Sequence, residues 1–79
     1  MIVTVLPFAS VKDILQCDKK QLTLQDGTSV NSLMKELAAE HSSLENLKLL
    51  FAVNSDYVET KHILIDGDEL AIFPPVSGG

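Results

Sequence analysis

Hydrophobic and polar positions along this chain fall into a short series of recognisable periods. In "MIVTVLPF", Val3 and Val5 alternate with Ile2, Thr4 and Leu6, which is the period of a strand. Apolar residues on both faces predict an interior strand. Pro7, which has no N–H to offer a ladder, should mark its end. "ASVKDILQ" places Val11, Ile14 and Leu15 at i, i+3 and i+4, predicting a short helix with Ser10 as a candidate N-cap. "QLTLQ" alternates again, with Leu22 and Leu24 inward, and ends at the Asp26-Gly27 turn signal.

The strongest period is helical. Val30, Leu33, Met34, Leu37 and Ala38 recur at i, i+3, i+4, i+7 and i+8. Ser29 is placed to cap the N-terminus, and His41 lies by the last carbonyls. After a polar loop, "KLLFAVNSD" puts Leu49, Phe51 and Val53 on one face of a third strand. Extended pieces follow around Tyr57–Val58 and Ile63–Ile65, then a tight Asp66-Gly67 turn and the strand "ELAIF". In that last strand Leu70 and Ile72 alternate with Ala71 and Phe73. Phe51 and Phe73 are both expected to belong to the core.

The order of strand, short helix, strand, long helix and two or three strands predicts an α+β fold: a mixed sheet with one long helix packed across a face. The long helix also supplies the crossover that a parallel strand pair requires. A β-grasp sheet is the simplest arrangement. With too few helices to cover both faces, part of one sheet face should stay exposed as a docking patch, at positions the pattern does not specify.

Composition narrows the picture. The 79 residues allow one domain, and at about 60 to 65 % of surface buried they leave little room for an enclosed catalytic cavity. Six Lys plus Arg against eleven Asp plus Glu give a net charge of −5, which argues against a nucleic-acid partner. Cys17 is the sole cysteine, so neither a disulfide framework nor a thiol-built zinc site is expected. No apolar run approaches the length of a membrane span, and a cytoplasmic location is expected.

Candidate chemistry concentrates at the end, in "FPPVSGG". Pro74 and Pro75 cannot continue a ladder and hold φ near about −65°, so residues 74–79 should leave the globule of residues 1–73 as a stiff extended tail. Six extended residues reach roughly 20 Å. Gly78 and Gly79 have no side chains, so the backbone can thread a narrow channel and the Gly79 carboxylate is open to attack. That carboxylate could be activated as an acyl-adenylate and captured by a sulfur or amine nucleophile. Nothing in this chain supplies the activating machinery, so it must come from a separate enzyme.

Together with "FA" at Phe8 and Ala9, "AVN" at Ala52 to Asn54 and "DGDEL" at Asp66 to Leu70, the ending resembles the small, sulfur-carrier subunits of molybdopterin synthase. These are ubiquitin-like β-grasp proteins, and the likeness covers essentially the whole chain. Gly-Gly ends are also found in thiamin-pathway sulfur carriers and in ubiquitin-like protein modifiers, which stand as the alternatives. The resemblance implies that the chain is not an enzyme by itself. A ubiquitin-activating-type adenylyltransferase would use ATP to adenylate Gly79, and a sulfur donor protein would convert it to a thiocarboxylate.

Phe73, Pro74, Pro75, Val76, Ser77 and Gly78 would then enter the large synthase subunit. There the sulfur goes to cyclic pyranopterin monophosphate to build molybdopterin, in a heterotetramer of two small and two large subunits. No cofactor or metal is implied for this chain. Two positions depart from the family pattern: Pro7 replaces a strand former, and Lys12-Asp13 stands where an Arg-Glu pair is frequent.

Other constellations are weak. Pairing Cys17 with His41 or His62 would be needed for thiol catalysis, yet neither histidine is near it in sequence. The carboxylates of "DGDE" are better explained by the turn than by a metal.

Overall fold

The alternating and helical periods resolve into a single five-stranded sheet with helices on one side. The computed structural model describes residues 1–75. Its elements are β1 (Ile2–Pro7), α1 (Ser10–Leu15), β2 (Lys20–Thr23), α2 (Val30–Glu40), a 3₁₀ turn (Ser42–Leu44), β3 (Leu50–Val53), β4 (Asp56–Val58) and β5 (Glu69–Phe73). The strand order is β2-β1-β5-β3-β4. β1 and β5 run parallel at the centre, and the β1–β2, β5–β3 and β3–β4 pairs are antiparallel. This is the mixed β-grasp sheet that the element order predicts.

Register follows from burial. Val3 and Val5 of β1, Phe51 and Val53 of β3, and Leu70 and Ile72 of β5 all point to the helical side. There they meet Val11 and Leu15 of α1, Val30, Leu33 and Leu37 of α2, and Leu24, Leu44 and Leu64 from the connections. A one-residue slip in any strand would turn its set to solvent, so this core specifies the pairing strongly. Pro7 closes β1 opposite Ile72, and Phe8 N–H donates to the Ile72 carbonyl at 3.0 Å immediately after it.

α2 forms as its pattern demands. The Ser29 hydroxyl accepts from the Ser32 N–H at 3.1 Å, satisfying one of the open donors of the first turn, and His41 N–H closes the last turn on the Leu37 carbonyl. α1 differs from expectation. Ser10 is already its first helical residue, and the preceding Ala9, at φ 52°, offers only its carbonyl, which accepts from Asp13 N–H. A residue inside the helix cannot reach back to cap it.

Two further differences have physical causes. Ile63–Ile65 is not a sheet strand: Ile63 makes a lone bridge to Ser29, and the segment instead joins the start of α2, with Val30 N–H on the His62 carbonyl and Leu64 N–H on the Thr28 carbonyl. The polar stretch before β3 contains a 3₁₀ turn that buries Leu44, an apolar position too isolated to show a period.

Candidate functional site

Every inward residue of a strand leaves its neighbours on the other face, and here, among the described residues, that other face has no helix over it. Its residues are Ile2, Thr4 and Leu6 of β1, Glu69, Ala71 and Phe73 of β5, Leu50 and Ala52 of β3, Tyr57 of β4, and Gln21 and Thr23 of β2. Pairing sets Leu6, Ala71, Ala52 and Tyr57 in one row across four strands, and Phe73 opposite Leu50 in the next. Glu69, opposite Thr4, is the one charged side chain that these strands present on that face. In a chain of net charge −5 this area is depleted of charge, which is the signature of the centre of a protein interface.

Phe73 defines the upper edge of the patch. The expectation that it belongs to the core does not hold: Ile72 is fully buried, and alternation therefore puts Phe73 on the open face, where it is only half-buried. Its ring meets that of Tyr57 edge to face, with centroids 5.8 Å apart and planes at 62°. Leu50 is 41 % exposed and Tyr57 76 % exposed, so the cluster presents apolar surface to solvent. Phe8, also exposed, follows the end of β1 next to Ile72.

The tail leaves from this edge. Pro74 is half-buried and Pro75 exposed, and neither is in the ladder. Thus Phe73, Pro74 and Pro75 stand together at the margin of the open face. Val76, Ser77, Gly78 and Gly79, to which the remaining tail expectations refer, lie outside the described residues.

The other candidates are placed apart. Cys17 is half-buried, beside a shallow recess lined by Lys12, Asp13, Gln16 and Asp18, with no histidine among them. In the "DGDE" turn, Asp66 accepts from the Ile2 N–H at 2.7 Å. Asp68 accepts from the Ile65 N–H at 2.8 Å and from the Asn54 amide at 3.0 Å. Those carboxylates are engaged in closing the turn, and Gly67 takes the positive φ, 87°, that it requires.

Residue patterning had missed Tyr57, Leu50, Leu6, Ala52 and Ala71 as site positions. The available signal was that each alternates with a core residue in a sheet short of helices.

Comparison with known proteins decides the family. The ThiS family profile matches residues 5–79, which includes both the strands of the open face and the tail. The chain belongs to the ThiS family. Within that family, a molybdopterin synthase sulfur carrier subunit of Escherichia coli K12 is 41 % identical over 81 residues, covering 98 % of this chain and 99 % of the relative. A solved Pyrococcus furiosus protein, named for subunit 1 of molybdopterin converting factor, superposes with a TM-score of 0.86. It is 28 % identical, over 95 % of this chain and 98 % of that one.

A Helicobacter pylori structure holds subunits 1 and 2 of molybdopterin-converting factor in complex. It matches at a TM-score of 0.69 and 24 % identity over the full length of both chains, a likeness of fold. The ubiquitin-like β-grasp architecture and the family resemblance read from the tail motif are therefore both findings.

Proposed function

We propose that this chain is a sulfur carrier for molybdopterin synthesis whose reacting group is the Gly79 carboxylate. The observation that carries the reading is the near-full-length likeness to the E. coli sulfur carrier subunit, together with a ThiS family match that runs through the tail to Gly79. The described structure supports it by setting the tail root at the edge of a charge-poor, exposed sheet face, where a partner could grip the globule and receive the terminus.

The chemistry divides between proteins. A separate adenylating enzyme joins the Gly79 carboxylate oxygen to the α-phosphorus of ATP, and pyrophosphate leaves. A sulfide-level nucleophile from a donor protein attacks the carbonyl carbon and AMP leaves, giving a thiocarboxylate. In the large synthase subunit the sulfur bonds to a carbon of cyclic pyranopterin monophosphate, water cleaves the Gly79 acyl–sulfur bond, and the terminus returns to a carboxylate; the two sulfurs of the dithiolene require two such deliveries. This chain contributes the acyl carbon, the narrow Gly-Gly end and the docking face. It works in the cytoplasm, in a heterotetramer with the large subunit.

Intact-mass measurement tests the reading. After incubation with the cognate adenylating enzyme, ATP and a sulfur donor, the chain should gain the mass of one sulfur-for-oxygen exchange and lose it again on addition of large subunit and substrate. Extending the chain by one residue beyond Gly79 should abolish the gain while leaving the unfolding midpoint unchanged, since a terminal tail contributes little to the core. An unchanged mass would remove the proposal, and stable conjugates on denaturing gels would assign the chain to protein modification instead.

A further inference from the structure

We propose that Tyr57 is a positioning residue for the tail, acting through Phe73 to fix the direction in which the chain leaves β5. The proposal rests on the reading of Gly79 as the reacting end. Tyr57 lies on the edge strand β4 directly opposite Ala52, which lies opposite Ala71. These two methyl side chains leave a trough across the sheet. The Tyr57 ring reaches across β3 over this trough to Phe73, two residues beyond Ala71 on the same face, in an edge-to-face contact with ring centroids 5.8 Å apart.

A 76 % exposed ring on a three-residue edge strand adds little to the core. What it contacts is the last residue before Pro74. A residue before proline is confined to extended conformations, and each following proline fixes its own φ. Little rotational freedom separates the Phe73 backbone from Pro75, so a ring that holds Phe73 aims the segment beyond it. Leu50 is the residue paired with Phe73 on β3.

An exposed tyrosine on a docking face has a rival explanation, direct contact with the partner, and the two separate kinetically. A docking contact acts on KM. An aiming device acts after docking, on the rate at which the tail finds the active site.

The test uses the full chain and its cognate adenylating enzyme, with wild type, Tyr57→Leu, Tyr57→Phe and Ala52→Val, the last keeping the tyrosine but filling the trough. Tyr57→Leu and Ala52→Val should lower kcat for Gly79 adenylation about 3- to 10-fold, with KM for the carrier within about twofold, the range expected from losing one edge-to-face pair. Tyr57→Phe should restore kcat. In the isolated chain, the Phe73 ring resonances should move toward free-phenylalanine positions in Tyr57→Leu and stay in Tyr57→Phe.

Wild-type kcat in Tyr57→Leu, or a loss confined to KM, would overturn the proposal. If the wild-type chain is not adenylated at all, the functional reading fails, and the ring resonances alone decide whether Tyr57 holds Phe73: unchanged positions in Tyr57→Leu would refute it.

Discussion

Asn54 and Asp68 show how single residues hold the ends of the sheet. Asn54 stands at φ 50° and Ser55 at φ 76°, the paired left-handed conformations of a two-residue hairpin turn, and asparagine tolerates that region better than most residues. Its side chain then spans to the next turn, donating to Asp68 at 3.0 Å and accepting from the Glu69 N–H at 3.0 Å. Asp68 is only 4 % exposed, so a lost partner is not replaced freely by water. Asn54→Ala should therefore cost about 1 to 3 kcal/mol, read from urea unfolding, through a buried oxygen left short of a partner and a turn residue lost. The second of these turns was legible from Asp66 and Gly67 themselves, whereas the residue pattern did not mark the turn at Asn54 and Ser55. Nor was the bond between Asn54 and Asp68 legible, because it joins positions fourteen apart in the chain.

Among the elements, legibility tracked the strength of the local period. α2 has a full apolar stripe and a working Ser29 cap, and its boundaries follow the pattern closely. Ile63–Ile65 has the right residues for a strand but bridges to Ser29 and hydrogen-bonds the start of α2, and alternation does not reveal which distant partner an extended segment takes. α1 is short, and its Lys12 is tied at 2.7 Å to Asp18 beyond the helix. Hydrogen bonding and then the charge of Lys12 hold the Asp18 carboxyl below the usual aspartate range; the same contact raises Lys12 above the usual lysine range.

The Asp18 contribution is thus present above the ordinary aspartate pKa and fades as pH falls through the lower folded-state value. The Lys12 contribution is present below the ordinary lysine pKa and is lost as pH rises through the higher one. Both groups are in solvent, so the link to overall stability is weak. Titration of Asp18 followed by carboxyl NMR should give a midpoint below that of an unpaired aspartate, returning toward it in about 1 M salt, where screening is nearly complete.

For the molecule as a whole, one layer of helices on a five-stranded sheet leaves a face that must be either wasted or used. Leu50→Asp places a charge on it beside Phe73 without touching the buried side. Unfolding free energy should change by no more than about 1 kcal/mol, as for most surface substitutions. Affinity for the proposed large-subunit partner, measured by calorimetry, should drop by about tenfold or more, because an interface excludes unpaired charge. Equal loss of stability and affinity would show instead that the face belongs to the fold.

Local periodicity and turn chemistry in the sequence were enough to determine the element order, the alternation within each strand, the long helix and the bare Gly-Gly end, since all of these depend on neighbours within a few residues. Tertiary structure alone decided which strands stand at the edges, that Ile63–Ile65 serves α2 instead of the sheet, and that Phe73 lies outside the core against Tyr57. The reason is geometric: a period says that two faces differ, but which face is covered depends on where distant segments come to rest.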